Sequence, residues 1–285
     1  MTLGFKGGLK PGKFLCGMAV ALFATAGACF AAEKPKADRA AAKEGAGHMK
    51  EELGVNSFTT PSIETLFTAL KELRPIIFEK VSRNLPDSVP GDRARLALST
   101  GVLLADGLLA VSAEKQSRLD DIGRLLLRHA KGLGVSDHVT RHNKSILEKA
   151  ASKDWSGIRA ELIGTQRDVE KAMLALKDEE IAHLVALGGW ARGLDIAAGL
   201  VAEQYTAERA AILVQPDVLN YFIDRVETLN PSLKKTKLFT GLGKNLVEIR
   251  TLSIKDAAAP PVAEELKKIR ELASGIITLI GTPEE

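Results

Sequence analysis

Cysteine is nearly absent from this chain of 285 residues, which has two cysteines in all. They are Cys16 and Cys29, so any domain that follows position 29 has no internal disulfide and must be held together by its core. Aromatic residues make up 5% of the chain, and no segment shows the alternation of apolar and polar residues that is typical of strands. These absences exclude a disulfide-stapled domain and argue against a β-sheet fold.

An excess of charge of one sign is also missing beyond the first residues. The chain has 39 basic and 36 acidic residues, and residues 1–28 contain three of the lysines and no Asp or Glu. Without that segment the chain is formally neutral. Because a nucleic-acid interface needs a basic excess on one face, the sequence predicts no nucleic-acid partner.

Several catalytic and cofactor motifs are missing as well. The chain contains no Cys-x-x-Cys-His for covalent haem and no Gly-x-Ser-x-Gly nucleophile turn. No set of nucleophile, base and orienting residue can be assembled from spacing alone. The sequence therefore predicts no cofactor and favours a protein that is not an enzyme.

The first 32 residues have the pattern of an export signal. Lys6, Lys10 and Lys13 precede an uncharged run at 14–30, and small residues close the segment. This run is as long as a signal-peptide core and short for a spanning helix. We therefore interpret 1–32 as a bacterial-type signal and expect the chain to be periplasmic or at the cell surface. Residues 33–60 are rich in Ala, Lys, Glu and Gly, which predicts a flexible linker.

The end of the signal allows two kinds of processing. Ala26-Gly27-Ala28 is a cleavage pattern that would leave Cys29 as the first mature residue, where its thiol can carry a lipid. Membrane contact would then come only through this N-terminal anchor. The alternative is cleavage after Ala31 or Ala32, which discards Cys29 and leaves no anchor.

The pattern of apolar residues predicts a single all-helical domain over 61–281, followed by a short tail at 282–285. Apolar residues recur every three or four positions, as in the last predicted helix with Leu266, Ile269, Ala273 and Ile276. The segment 93–113 is apolar nearly all round, so we expect a central buried helix there. The fold class is therefore an all-α multi-helix bundle of eight or nine antiparallel helices.

A weak internal echo links the two halves of this domain. The segment that begins at Leu96 resembles the one that begins at Val185, and Asp106 aligns with Asp195. A duplication would give two three-helix halves whose central helices face each other. The alternative is a chance likeness between two alanine-rich helices.

Asp106 and Asp195 are the main candidates for chemistry, because a carboxylate on an apolar helix is costly unless it is paired or coordinated. One hypothesis is a carboxylate metal site formed by Asp106, Asp195, Glu114 and Glu203, which needs the two helices to cross antiparallel. The alternative is that Arg192, Ser99 or Thr100 satisfies one or both aspartates. A parallel crossing would put Asp beside Asp, and one of them would have to stay protonated or pair with Arg192.

Two functions from different classes follow. The favoured interpretation is a non-enzymatic binding or scaffold module of the cell envelope with a protein partner, since a tethered helical bundle can present a groove between helices. The alternative is a metal-binding or metal-dependent protein built on the four carboxylates.

Overall fold

The described residues form helices throughout, as predicted. The computed structural model describes residue 61, residues 64–254 without the side chains of 66 and 67, and residues 259–282. The predicted signal, Cys29 and the linker lie outside the described residues, as do the last residues of the tail. The helices are α1 Glu64–Glu72, α2 Phe78–Val81, α3 Arg93–Ser112, α4 Gln116–Leu133, α5 Ser136–Ala151, α6 Trp155–Ala175, α7 Glu179–Glu203, α8 Ala207–Ala211, α9 Pro216–Glu227, α10 Pro231–Lys234, α11 Lys237–Ser253 and α12 Ala263–Gly281.

Local sequence signals set several of these boundaries. The Asp92 side chain accepts a hydrogen bond from the Arg95 amide at 2.7 Å and begins α3, and Asp154 caps α6 in the same way. Gly134 ends α4 in the left-handed conformation with φ of 80°, which suits a residue without Cβ. Pro75 separates α1 from α2, because it removes an amide donor.

The long helices pack in two sets of four. In the first set α4 packs on α3, α5 on α4, and α6 on both α5 and α3. In the second set α11 packs on α9, and α12 packs on α11 and α7. The two sets meet through α3 and α7, which face each other at the centre, as the sequence echo implied. Each set has four long helices where the echo predicted three.

The central helices α3 and α7 cross closely because glycine stands at the crossing. A Cβ built on Gly101 would overlap the carbonyl oxygen of Val185, and one built on Gly188 would overlap that of Leu98. Leu98 of α3 contacts Gly188 of α7, and nearer the C-terminal ends of both helices Asp106 is hydrogen-bonded to Arg192. Because both helices proceed from the first contact to the second in the N-to-C direction, α3 and α7 run parallel.

Both central helices are long and apolar enough to cross a membrane by length and composition. Every residue of α3 from Ala94 to Val111 is buried, and α7 is buried along most of its length. The prediction that residues 93–113 form a buried central helix is therefore confirmed.

Candidate functional site

The two predicted aspartates lie in a buried network around Arg192. Arg192 is 2% exposed; its Nε donates to Asp106 Oδ1 at 2.7 Å and its Nη1 to Asp195. Its Nη2 donates to the Val81 carbonyl at 2.6 Å. Arg83 Nε donates to the second oxygen of Asp106 at 2.9 Å. All three nitrogens of the Arg192 guanidinium are therefore engaged, and α2, α3 and α7 are tied together.

The electrostatics of this network favour ion pairs. Burial opposes the charge on Arg192, but Asp106 and Asp195 outweigh it and raise its pKa further above its ordinary value. Burial raises the pKa of Asp195, and the adjacent Arg192 limits that rise. Two arginines and two aspartates make a formally neutral set, which is the arrangement that lets buried charges persist.

The other two carboxylates of the predicted metal site lie elsewhere. Glu114 follows the end of α3, is exposed and has φ of 55°. Glu203 ends α7, where Lys80 Nζ lies 3.7 Å from its carboxylate. Because α3 and α7 run parallel, Asp106 approaches Asp195 rather than Glu203. Among the described residues no group of three or more His, Cys, Asp or Glu side chains is placed to hold a metal ion.

His129 is a buried histidine on α4 beside this network. It is 0% exposed, and its Nδ1 lies 3.2 Å from the Thr100 hydroxyl, which donates to the Leu96 carbonyl. Its Nε2 has no hydrogen-bond partner in the described part of the chain. Burial, with help from the nearby Arg128 and Arg83, lowers the pKa of His129 to about 4. The ring is therefore neutral at pH 7.

Replacing His129 with leucine should make the protein less sensitive to acid. The pKa of His129 in the folded protein lies below the ordinary value of 6.5, so the unfolded chain binds a proton more readily than the folded protein does. The folded protein is therefore not penalised above pH 6.5, and it loses stability as the pH falls from 6.5 toward 4. Between pH 7 and about pH 4.5 the native protein should lose ~2 kcal/mol more than His129→Leu. Urea unfolding of both proteins at the two pH values measures the difference, and equal losses would contradict a neutral buried ring.

A second histidine, His142 on α5, is held between two carboxylates of α6. Its Nδ1 lies 2.7 Å from Glu161 and its Nε2 lies 3.0 Å from Asp168. Burial opposes the charge on Glu161, but hydrogen bonds from His142, Ser145 and Lys149 outweigh it and hold its pKa at about 2. Because both ring nitrogens are engaged, His142 fastens α5 to α6. The signal that sequence reasoning missed was the spacing of Glu161 and Asp168, seven residues apart on one helix face.

A narrow apolar cavity, partly open to solvent, lies along the other side of the α3–α7 crossing. Its α7 wall runs from Val185 to Ala197, about 18 Å at the rise of an α-helix. Gly101 and Leu104 of α3 form the facing wall. Asp106 lies two residues beyond Leu104 and so points to a different face of α3. The remaining lining comes from α1, α6 and the α8–α9 turn: Pro61, Thr65, Ala69, Gln166, Ile212, Leu213 and Gln215.

Few polar groups line this apolar cavity. Trp190 Nε1 donates to Gln215 Oε1 at 3.0 Å, and Gln215 Nε2 donates to the Ile212 carbonyl at 3.4 Å. Gln166 Nε2 donates to Glu170 at 2.7 Å. The cavity is thus a narrow apolar trough with amides at its edge, and the sequence did not reveal it because five separate segments build it.

A second cavity lies between α7 and α9 and has charged walls. Glu180 and His183 line it from α7, and Arg225 lines it from α9. Glu180 and His183 form a Glu-x-x-His spacing that the sequence analysis did not single out. This spacing was the sequence signal that could have pointed to the cavity.

No protein-family model, curated protein or solved structure matches this chain.

Proposed function

We propose that this chain is an exported, non-enzymatic binding protein of the cell envelope that holds an acyl chain in the apolar cavity. The observation that carries the proposal is the cavity itself, which lies at the crossing of the two central helices and is lined almost entirely by apolar side chains.

The shape of the apolar cavity favours an extended ligand. Successive lining residues on α7 step by four, through Val185, Gly189, Gly193 and Ala197, so they form one continuous stripe. Glycine and alanine keep this stripe free of large side chains. Each methylene that enters is removed from water, which favours binding by about 0.8 kcal/mol before the entropic cost of binding.

The surface of the described residues offers less for binding. The large apolar side chains that are exposed there lie on separate helices and turns, such as Leu147, Leu176, Val247 and Val262. Scattered single residues of this kind are normal on a protein surface. The predicted protein partner stays a prediction, and we place the binding site in the cavity.

The predicted export signal at the start of the chain supports the same proposal. The basic start and the uncharged run at 14–30 favour a location outside the cytoplasm, where the domain would work free or tethered through Cys29. An acyl chain in a watery compartment needs an apolar site to leave its membrane. A helical domain on a linker provides such a site.

Binding of an acyl chain should be visible in the fluorescence of Trp190. The chain has two tryptophans, and Trp155→Phe leaves Trp190 as the single reporter on the cavity wall. A brominated straight-chain fatty acid should quench Trp190 in a saturable way, because the bromine atoms come into contact with the ring. A brominated short-chain acid should not, since it buries too little apolar area.

A pair of alanine variants tests the position of the ligand. Ala197→Leu in the Trp155→Phe background adds atoms to the cavity and should weaken quenching at least about tenfold, which is ~1.4 kcal/mol. Ala202→Leu makes the same change at an exposed position on α7 and should leave quenching unchanged. Equal quenching in both variants, or quenching that does not saturate, would exclude the apolar cavity as the site.

A further inference from the structure

The cavity between α7 and α9, which we call the charged cavity, is separate from the apolar cavity and carries its own inference. It is lined by Glu179, Glu180, His183, Leu184, Leu187, Arg225, Val226, Thr228 and Leu229. On α7 the residues Glu180, Leu184 and Leu187 follow helical spacing and so share one face. The charged cavity therefore has an apolar floor and charged walls on two different helices.

Two oppositely charged side chains in the charged cavity each have one buried atom without a partner. Glu180 Oε1 and Arg225 Nε are both buried, and each has no hydrogen-bond partner in the described part of the chain. No ion pair joins these two side chains within 4.0 Å. A buried charged atom that is left without a partner costs stability, so such atoms point to a group that fills the space between them.

Three neighbouring residues complete the surroundings of this pair. Glu179 adds a second carboxylate to the lining, and the Tyr221 hydroxyl lies 2.6 Å from His183 Nδ1. Burial, together with the nearby Arg225, lowers the pKa of His183, so the ring is neutral at pH 7. The guanidinium of Arg225 lies over the Tyr221 ring at 5.8 Å, which fixes its position without neutralising its charge.

We propose that the charged cavity binds a small zwitterion, an α-amino acid with an apolar side chain. Its ammonium group pairs with Glu180, its carboxylate pairs with Arg225, and its side chain contacts Leu184, Leu187 and Leu229. A ligand with a single charge would pair with either Glu180 or Arg225 and leave the other side chain unpaired. A zwitterion satisfies both, so the charged cavity discriminates by charge as well as by shape.

Leucine and two analogues test this proposal on the full chain. Isocaproate is leucine without the ammonium group, and isoamylamine is leucine without the carboxylate. Calorimetric titration should show saturable binding of leucine, with both analogues at least about tenfold weaker. No binding of leucine, or equal binding of all three compounds, would overturn the proposal even if every variant failed to fold.

Charge-removing variants locate the site. Glu180→Gln should weaken leucine at least about tenfold and leave isocaproate unchanged, whereas Arg225→Gln should weaken both. Glu227→Gln makes the same change as Glu180→Gln at an exposed residue of α9 outside the charged cavity, and should have no effect. Ala197→Leu should leave leucine binding unchanged, because it alters only the apolar cavity. Full affinity for leucine in Glu180→Gln would exclude this assignment.

Discussion

Gly101→Ala is expected to prevent the close packing of α3 and α7. The new Cβ would overlap the Val185 carbonyl oxygen and lie 2.5 Å from the amide nitrogen of Gly189. Both atoms belong to the backbone of α7, so relief requires the helices to separate and the surrounding core to loosen. We expect a loss of ~3 kcal/mol or more in the free energy of unfolding, measured by urea titration with far-ultraviolet circular dichroism.

Gly107→Ala is the matched control, since it makes the same change on the same helix. A Cβ at Gly107 would meet the Leu162 side chain at 3.4 Å, which is van der Waals contact. Alanine favours a helix over glycine by about 0.8–1.0 kcal/mol, so this variant should be as stable as the native protein or more stable. Equal stability of Gly101→Ala and Gly107→Ala would mean that α3 and α7 do not cross at Gly101.

Arg192→Met should destabilise the protein by about 3–5 kcal/mol at neutral pH, which is typical when one partner of a buried ion pair is removed. The methionine has similar length, so the main loss is electrostatic. Asp106 would keep only Arg83, Asp195 would lose its hydrogen-bond donor, and the Val81 carbonyl would be left without Arg192. Urea unfolding at several pH values measures the effect.

The pH dependence of Arg192→Met identifies the cause. Without the guanidinium the two buried carboxylates lose the cation that stabilises their charge, so the penalty is present at neutral pH and is relieved as the carboxyls protonate in acid. Adding Asp106→Asn and Asp195→Asn should restore part of the stability. Arg250→Met, at an exposed position, should change stability by less than about 0.5 kcal/mol. A deficit that does not depend on pH would point to packing instead.

The fold could be predicted from the sequence because its signals are local. Helical periodicity, the Asp92 and Asp154 caps and the Pro75 break need only neighbouring residues, and the buried character of α3 shows in its composition. The direction of the α3–α7 crossing could not be read in this way. It depends on where α4, α5 and α6 carry the chain, which no short segment specifies.

The candidate sites could be predicted only in part. The pairing of Asp195 with Arg192 was among the alternatives because the two residues are one helical turn apart. Arg83 and the Val81 carbonyl were not foreseen, since they approach Arg192 only through tertiary packing. Thr100, a predicted partner of the aspartates, contacts His129 instead. Cavities are shaped by gaps between segments, and the residues that line a gap carry no shared pattern in the sequence.

The parallel course of α3 and α7 has a consequence for how the chain reaches its final form. Arg192 joins Asp106 across 86 residues and Val81 across 111, so these contacts are long-range in sequence. Bringing such distant residues together requires a long loop to close, which slows folding. A chain that emerges from its N-terminus therefore carries Asp106 without its main counter-ion until α7 arrives. The second half of the domain therefore supplies the counter-ion of a buried charge in the first half.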